Sequence, residues 1–338
     1  MTTGNRHQAT VSSNKPRIVG VLACALLLAH CSSAEAQQPK AYRIGVITGG
    51  GAYYETIDGL RAGLKQLGFE EGKRFVLAIR DTKGDVAKAA EEAARNLEQE
   101  KVNLIYTTQT TVTIAARRAT ANIPIVFCAG TDPVGVGLVD SFANPGGRLT
   151  GVYSMTADLT GKRLEILKEI IPNLRRVVTF YNPRRTTSIE SAKQTHEEAQ
   201  RLGIEVIERH IASVEELQTA VRALRVGEVD AIFEVPDPMV VNQAQLIIDA
   251  ARVKRWPTMF FFPSEVLKGG LASYSVDLHA VGRVSANYVQ RILTGVKPQD
   301  LPVEGIDKIE LVINLKTAKQ IGLTIPPSVL ARADRVIK

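Results

Sequence analysis

Two successive series of alternating strand and helix patterns constrain the fold of this chain more than any other feature. The first series runs over residues 42–128, and the second restarts at residue 176 and runs to 275. Each helical pattern places apolar residues three and four positions apart, as Ile57, Leu60 and Leu64 illustrate. Strand–helix alternation builds parallel sheets that are covered by helices on both faces. The sequence therefore predicts an α/β protein of two doubly wound parallel-sheet lobes with a ligand cleft between them.

The predicted strands are short apolar runs, and the predicted helices fill the intervals between them. The strands comprise residues 42–48, 75–80, 102–107, 123–128, 176–181, 204–211, 229–235, 258–262 and 271–275. The helices comprise a segment around 57–67, then 85–100 with Asp85 as its N-cap, 111–120, 188–202, 214–224 and 239–254. Because ligands of such folds bind beyond the carboxyl ends of the strands, the loops after the strands are the candidate sites.

The N-terminus has the pattern of a secretory signal peptide. Three basic residues precede an apolar run at 18–29, and Ala34-Glu35-Ala36 offers small residues for cleavage before Gln37. The run is shorter than the ~20 apolar residues that a membrane span needs. We therefore expect residues 1–36 to be removed and the mature chain to be soluble and periplasmic. A lipid-anchored form at Cys31 and an uncleaved anchor are the alternatives.

Charge and cysteine content argue against several classes of partner and cofactor. Residues 1–36 hold three basic residues and one acidic residue, so their removal lowers the formal net charge from +7 to +5. No basic block with interleaved aromatic residues stands out, and nucleic acid is not an expected partner. Cys128 is the sole cysteine of the expected mature chain, and its histidines lie scattered at 196, 210 and 279. We expect no disulfide, no metal centre and no cofactor.

The glycine-rich loops do not match nucleotide-binding or hydrolase motifs. A dinucleotide fingerprint starting at Gly49 would need glycine where Tyr54 stands, and one starting at Gly135 would need it where Asp140 stands. The phosphate loop G-x-x-x-x-G-K-[ST] and the nucleophile elbow G-x-S-x-G do not occur. Acidic residues that follow strands can serve as helix caps or turn residues. An exported enzyme acting on a small polar substrate stays open as an alternative.

Small polar residues recur in the loops after the strands. Hydroxyl groups and helix N-terminal N–H groups there can bind a ligand without reacting with it. The candidate ligand-binding residues are Gly50, Tyr53, Tyr54, Thr108, Gln109, Thr110, Thr131, Asp132, Asn182, Thr187, Ser188, Asp237, Ser264, Tyr274 and Asp277. We expect part of this set to act only as caps and turns, and we assign no catalytic residue.

The stretch PIVFCAGTDPVGVGLVDSFANPGGRLTGV, residues 124–152, resembles the signature of a family of ABC-transporter substrate-binding proteins. The similarity continues in YNP at 181–183, in GGLASYSVD at 269–277 and through most of the C-terminal segment. The chain departs at Arg148, where the family usually has asparagine. The resemblance implies a type I periplasmic-binding-protein fold whose bound small molecule is delivered to an ABC permease in the inner membrane.

The resemblance also implies the course of the chain. Crossovers between the lobes are expected near Tyr153, Ser275 and Val303. The first lobe would comprise residues 37–153 plus 276–302, and the second would comprise 154–275 plus 303–338. Thr131–Gly135 is expected at the cleft, and Asn144–Gly147 is expected to turn the chain toward the second lobe. The mature protein is expected to be a monomer.

Two loops predict where the charges of the ligand bind. Thr107–Thr111 and Arg184–Ser188 each join a strand to a helix and present hydroxyl groups beside helix N-terminal N–H groups, which suits a carboxylate. Asp237, between two prolines, is placed to receive an ammonium group, and tyrosines 53, 54 and 274 are available to cover an aromatic portion. We therefore expect an amino acid or a related carboxylate. A ligand sensor that docks on a membrane receptor is the second alternative.

Overall fold

The computed structural model describes residues 41–83, 86–306 and 308–338. The predicted signal peptide with Cys31, and the predicted Asp85 cap, lie outside these residues. No helix within the described ranges is long and apolar enough to cross a membrane.

The strands of the described residues belong to two sheets. In chain order they are β1 (Tyr42–Thr48), β2 (Phe75–Asp81), β3 (Leu104–Thr107), β4 (Ile125–Ala129), β5 (Leu149–Tyr153), β6 (Arg176–Tyr181), β7 (Glu205–His210), β8 (Ala231–Phe233), β9 (Thr258–Phe260), β10 (Ala272–Val276), β11 (Glu304–Gly305), β12 (Ile309–Asn314) and β13 (Arg335–Ile337). The first sheet has the order β11-β5-β4-β3-β1-β2, and the second has the order β13-β12-β10-β9-β8-β6-β7.

Helices connect most of these strands. They are α1 (Tyr54–Gln66), α2 (Val86–Gln99), α3 (Thr110–Ala119), α4 (Leu159–Ile170), α5 (Thr186–Leu202), α6 (Val214–Ala223), α7 (Pro238–Asn242), α8 (Ala244–Lys254), α9 (Pro263–Leu267), α10 (Leu278–Leu293), α11 (Leu315–Ile321) and α12 (Pro327–Leu330). Short 3-10 turns lie at Gly51–Tyr53 and Pro298–Asp300.

The predicted pair of parallel-sheet α/β lobes is confirmed. The strand pairs of the first sheet are parallel. In the second sheet β10 and β12 run antiparallel, whereas the other pairs are parallel. The antiparallel pair was not predicted, because β12 enters from the other lobe and its direction is not set by a helical crossover within one sheet.

Alternate residues of the central strands contribute to cores on opposite faces of each sheet. On β1, Ile44 and Val46 pack with α1 and α10, whereas Ile47 packs with α2 and α3. On β6, Val177 packs on the side of α4, whereas Val178 packs on the side of α6 and α8. Burial on both faces explains why these strands read as nearly continuous apolar runs in the sequence.

The chain passes between the two sheets three times. It leaves the first sheet after β5, returns after β10 into α10, which packs against α1, and leaves again after β11. Because β11 pairs with β5, residues 304 and 305 belong to the first sheet, just beyond the boundary predicted at 302. Asp277 links the two later passages, since its carboxylate binds the Lys308 ammonium group at 2.9 Å.

Residues 130–148 take the place of the helix that usually joins two adjacent parallel strands. Because β4 and β5 are parallel neighbours, this segment must run back along the sheet from one end to the other. Thr131 therefore lies at the cleft end, whereas residues 144–147 lie at the opposite end, where β5 begins. The prediction that Asn144–Gly147 turns the chain toward the second lobe is wrong, because β5 itself carries the chain there.

Arg148, the departure from the family signature, binds the C-terminal end of α3. Its guanidinium group donates to the carbonyl oxygens of Arg117, Thr120 and Ile123 at 2.8, 2.8 and 2.9 Å. The last carbonyl groups of a helix lack partners within the helix and are stabilised by a cation. The arginine therefore has a scaffold role at the end of the lobe that is remote from the cleft.

The helix predicted over 239–254 is interrupted. α7 ends at Asn242, Gln243 has φ −108° and ψ 17°, and α8 begins at Ala244. The Asn242 side chain donates to the carbonyl oxygen of Gly49 in the first lobe at 2.9 Å. The interruption therefore coincides with a contact between the lobes, which helical periodicity cannot indicate.

Candidate ligand site between the lobes

The two lobes contact each other at the carboxyl ends of their parallel strands. The hydroxyl groups of Thr131 and Thr187 lie 3.0 Å apart across the cleft. The ring of Tyr53 meets the ring of Phe262 edge to face, with centroids 5.1 Å apart. Together with the hydrogen bond from α7 to the first lobe, these contacts bring the loops of both lobes together. The structure therefore shows the cleft in a closed arrangement.

The threonine hydroxyl groups of the first-lobe wall hold its loops in place. Thr108 donates to the Thr48 hydroxyl at 3.0 Å, and Thr48 also accepts from the Gly50 N–H at 3.2 Å. Thr110 accepts from two backbone N–H groups of the loop after β4, at 3.0 and 3.2 Å. Thr108 and Thr110 are therefore supports for the loops that carry the remaining polar groups.

Gln109 differs from these neighbours because its side-chain amide makes no hydrogen bond to the described residues. The residue is 7% exposed, and neither amide atom has a hydrogen-bond partner among the residues that the structure describes. Burial raises the pKa of Tyr53 well above its usual value, and the nearby Gln109 amide acts in the opposite direction. Gly49 leaves room for this amide, since a Cβ atom there would lie 2.5 Å from Gln109 Oε1. A buried polar group without a partner is costly, so the amide is placed to bind a ligand.

Two helices from opposite lobes direct their N-termini at the cleft without a side-chain cap. Gln109 before α3 and Arg185 before α5 have extended backbones, and neither side chain accepts from the first turn of its helix. The first N–H groups of a helix lack partners within the helix and carry the positive end of its dipole. The Thr131 N–H donates to the Thr110 hydroxyl of α3, and the Thr131 hydroxyl contacts that of Thr187 in α5, so the two termini lie close together. A carboxylate between them would be bound from both lobes.

A cavity of about 360 Å³ opens beside the N-terminus of α5. Lys83 lines it from the first lobe, and Asn182, Arg185 and Asn242 line it from the second. The volume lies within the range of ~300–1,000 Å³ that is usual for small-molecule sites. Lys83 and Arg185 both place a positive charge in the lining of this cavity, and Arg185 is also paired with Asp237.

The floor of the cleft in the second lobe holds three buried charged residues that the sequence analysis did not single out. Glu234 follows β8, Glu265 lies in α9 after the neighbouring strand β9, and Arg163 lies near the start of α4. Their exposed fractions are 3%, 1% and 0%, in that order. Oε2 of Glu234 accepts from the Phe261 N–H at 2.7 Å, and Oε2 of Glu265 accepts from the Phe262 N–H at 3.1 Å. Oε1 of each carboxyl group has no hydrogen-bond partner in the described part of the chain.

Burial is the main influence on the ionisation of this cluster. It raises the pKa of Glu234 to about 7, against the opposing effect of Arg163. It also raises the pKa of Glu265 well above its usual range, and the adjacent Glu234 raises it further. It lowers the pKa of Arg163 to about 10, and the guanidinium group lies 4.9 and 5.0 Å from the rings of Phe233 and Phe261. One cation thus faces two carboxyl groups.

The structure assigns Asp237 a role different from the predicted one. Its carboxylate is 0% exposed and accepts from the backbone N–H groups of Met239 and Asn182 at 2.9 and 3.0 Å. It also accepts from the Ser188 hydroxyl at 3.1 Å and pairs with Arg185 at 3.5 Å. This network occupies both oxygens, so the structure favours a helix-cap and scaffold role over the ammonium-binding role predicted for Asp237.

Several other predicted residues lie at the cleft in supporting positions. Asn182 accepts from the Arg184 N–H at 3.0 Å, which shapes the loop before α5. Burial raises the pKa of Glu55 in the first lobe, and Ser264 of the second lobe opposes this effect, so the two side chains face each other across the cleft. Gly50 has φ 83°, which glycine adopts without strain.

Four predicted residues have scaffold partners instead. Tyr54 is 38% exposed and donates to a carboxylate at the end of β2 at 3.1 Å. Asp132 is exposed and accepts from the N–H two residues ahead at 2.9 Å. Tyr274 packs against the cores of both lobes, and Asp277 caps α10 by accepting from its first turn at 3.0 Å. These contacts account for the four residues without a ligand.

A signal for the buried carboxyl groups was present in the sequence. Glu234 stands directly after the apolar run AIF, and Glu265 is the third residue after the run FFF. A charged residue at the end of a buried strand is costly unless it is paired or functional. No comparable signal pointed to Arg163, because an arginine in an amphipathic helix ordinarily faces solvent.

Two α/β lobes joined by three passages of the chain, with polar loops in contact across a closed cleft, define a type I periplasmic-binding-protein fold. The chain belongs to the family of ABC transporter substrate-binding proteins, whose family model matches residues 43–337. The resemblance that was inferred from the signature stretch is thereby confirmed.

Three similar proteins illustrate the family. A tyrosine-binding protein of Clostridioides difficile is 28% identical over 260 residues, which cover 77% of this chain and 74% of that protein. The crystal structure of a conserved domain protein of Vibrio cholerae is 32% identical with a TM-score of 0.81, and the match covers 88% of this chain and 100% of that one. A domain of the Streptococcus pneumoniae protein, solved in complex with L-Trp, is 25% identical with a TM-score of 0.79 and the same coverage.

Proposed function

We propose that this protein is an exported binding protein that captures an amino acid with an aromatic side chain and delivers it to an ABC permease in the inner membrane. The observation that carries the proposal is the unsatisfied amide of Gln109 beside two uncapped helix N-termini, opposite a buried pair of carboxyl groups. Such an arrangement offers donors for a carboxylate and acceptors for an ammonium group within one cleft.

The carboxylate of the ligand would lie between the N-termini of α3 and α5. The Nε2 group of Gln109 supplies a side-chain donor there, and the first-turn N–H groups of both helices supply backbone donors. Lys83 adds a positive charge at the adjoining cavity. These are the two loops that the sequence predicts as the carboxylate site.

The ammonium group would lie at the opposite side of Tyr53. The charge of Glu234 acts on the Tyr53 hydroxyl, and the Gln109 amide lies beside the same hydroxyl. Because the effect of a charge falls with distance, Tyr53 must lie near both groups. A single small zwitterion can therefore reach the donors of the first lobe and the acceptors of the second.

The aromatic preference rests on the edge-to-face pair of Tyr53 and Phe262 and on two relatives. Paired rings favour a further aromatic group in offset or edge contact. One relative is named as a tyrosine-binding protein, and a similar structure contains L-Trp. We therefore infer that tyrosine or tryptophan is the class of ligand.

The two alternatives differ in how well they are supported. The relatives are named for binding rather than for catalysis, which favours capture without chemistry over an exported enzyme. A ligand sensor would use the same closed cleft, and only the partner in the membrane would distinguish it from an importer.

A ligand screen on protein purified from the periplasm tests the proposal. The N-terminus should be Gln37 by mass spectrometry, and thermal unfolding should shift upward with L-tyrosine or L-tryptophan because a ligand that binds the folded state stabilises it. Sugars and aliphatic amines serve as controls. Recovery of a chemically altered product would favour the enzyme, and absence of a shift with every amino acid would contradict the proposed ligand class.

A further inference from the structure

We propose that Glu234 and Glu265 together bind the ammonium group of the ligand, and that this group displaces a proton that the two carboxyl groups share in the empty cleft. The inference rests on the proposed function and deepens it, since it names the residues that select for an amine and the proton exchange that accompanies binding.

The placement of the two carboxyl groups is the first argument. They follow the adjacent parallel strands β8 and β9, so both lie at the edge of the sheet that faces the cleft. Each is tied by Oε2 to a backbone N–H of the Phe261–Phe262 segment, and the second of these rings contacts Tyr53 of the other lobe. Both Oε1 atoms are buried without a hydrogen-bond partner in the ranges described.

The balance of charge is the second argument. Arg163 directs Nη1 to the backbone carbonyl oxygen of Glu234 at 2.8 Å and Nη2 to the Thr160 hydroxyl at 3.4 Å. The guanidinium group therefore holds the backbone of the cluster and compensates one of the two carboxylates. The second carboxylate needs a proton or another cation, because an uncompensated charge at 1–3% exposure is costly.

The other charged groups that face the pair do not supply that cation. Asp237 adds a negative charge that disfavours ionisation of Glu234, and the Tyr53 hydroxyl is uncharged because burial raises its pKa. Lys268 is exposed and opposes the pKa rise of Glu265 only as the weakest of the influences on it. A ligand ammonium group would complete the cluster.

The exchange conserves charge at the site. In the empty cleft one proton joins the two carboxyl groups; on binding, the intact ammonium group enters, and that proton passes to solvent. Burial raises the pKa of Glu234 to about 7 and the pKa of Glu265 well above its usual range, so the pair still holds a proton at neutral pH. The affinity for an amine-bearing ligand should therefore rise with pH over the range in which the pair holds the proton that the ligand displaces.

Calorimetry of the mature protein with L-tyrosine tests this exchange. Titration at about pH 7, in two buffers with different heats of ionisation, should report a net release of about one proton per ligand. The deaminated analogue 3-(4-hydroxyphenyl)propionate should release no proton, and its affinity should not increase with pH.

The variant Glu265→Gln keeps the size of the side chain and an oxygen for the Phe262 N–H while removing the second carboxyl group. It should abolish proton release and remove the dependence of affinity on pH. It should also lower the affinity for L-tyrosine by at least about 30-fold above pH 8, as expected for the loss of a charged partner in a closed cleft. The analogue without an amine should bind this variant at least as well as it binds the wild type. Glu198→Gln, a similarly buried carboxyl group in α5 of the same lobe, is the matched control and should change none of these values.

The outcomes separate this inference from the proposed function. If the wild type binds L-tyrosine with no proton release and Glu265→Gln binds it equally well, the carboxyl pair is only structural and the inference is overturned, while the proposed function stands. If the wild type binds neither L-tyrosine nor L-tryptophan at any pH, both are overturned. If Glu265→Gln does not fold, Glu234→Gln must show the same loss of proton release.

Discussion

At the scale of single residues, Asp237 and Gln109 show that a buried polar side chain can either stabilise the fold or remain available to bind a ligand. Both follow strands and both are almost fully buried. Asp237 has protein partners for both oxygens, whereas neither amide atom of Gln109 has a partner in the described part of the chain. A satisfied buried group stabilises the fold, and an unsatisfied one costs free energy that a ligand can recover.

Replacement of Asp237 tests this distinction through stability. Asp237→Ala should lower the free energy of unfolding by about 3 kcal/mol, because it removes a buried ionised acceptor and leaves its donors unsatisfied. Asp132→Ala removes an exposed aspartate with a single local hydrogen bond and should cost less than about 1 kcal/mol. Urea unfolding of both variants checks the difference. Equal stability of the two variants would contradict the scaffold role of Asp237.

The sequence predicted the positions of such residues better than their roles. Polar residues after strands were correctly expected at the carboxyl edge, because topology alone puts them there. The partners of Asp237 lie 55 and 49 residues away along the chain, at Asn182 and Ser188, and no local pattern encodes such contacts. Arg163 was missed for the same reason, since its partner carbonyl is 71 residues away.

At the scale of elements, the packing of α1 against α10 depends on small residues. A Cβ atom at Gly59 would lie 2.1 Å from the carbonyl oxygen of His279, and one at Gly282 would lie 2.0 Å from the carbonyl oxygen of Thr56. These neighbours are backbone atoms and cannot move without separating the helices. The packing of α1 against α10 holds the segment that follows β10 against the first sheet. The spacing of these two helices therefore helps to fix the segments that pass between the lobes.

A pair of glycine replacements tests this packing. Gly282→Ala should destabilise the protein by about 1–3 kcal/mol through overpacking. Gly161→Ala, in α4, would place its Cβ in ordinary contact at 3.7 Å from Glu198 and should instead stabilise by up to about 1 kcal/mol, because alanine favours a helix. Urea midpoints of the two variants should therefore shift in opposite directions. A shift of the same sign and size in both would contradict the close approach of the helices.

The strand–helix alternation predicted the elements of residues 42–275 well, because burial on both faces leaves a strong periodic signal. The alternation does not indicate that α10 packs in the lobe opposite to the strand that precedes it, or that β12 joins the second sheet from the first lobe. The break between α7 and α8 was also missed. In each case the deciding contacts are between lobes or distant segments, and local periodicity does not contain them.

At the scale of the whole molecule, direct contacts between loops of the two lobes help to keep the cleft closed. The Asn242 bond to the Gly49 carbonyl oxygen joins α7 to the end of β1, and the contact of Thr131 with Thr187 joins the loop after β4 to the N-terminus of α5. A ligand bound from both sides would add its own contacts to these. Closure and binding should therefore be energetically coupled through the same loops.

Asn242→Ala tests this coupling because the side chain contacts the opposite lobe. Loss of one hydrogen bond, worth about 0.5–1.5 kcal/mol, should lower the affinity for every ligand by about 2- to 10-fold. The order of preference among ligands should not change. Gln245→Ala, which alters an exposed residue of α8, is the control and should leave affinity unchanged. The measurement is the dissociation rate of the bound amino acid. A selective loss for one ligand class would contradict a role in closure.

The most direct test of the central claim, capture of an aromatic amino acid between the lobes, is calorimetry of L-tyrosine with the wild type and with Gln109→Leu. We predict binding of one ligand per wild-type chain and an affinity at least about tenfold lower in the variant, because the leucine offers no donor for the carboxylate. The free energy of unfolding of the ligand-free variant should be unchanged or higher, since an unsatisfied buried amide is removed. Absence of binding to the wild type, or equal affinity in the variant, would contradict the account.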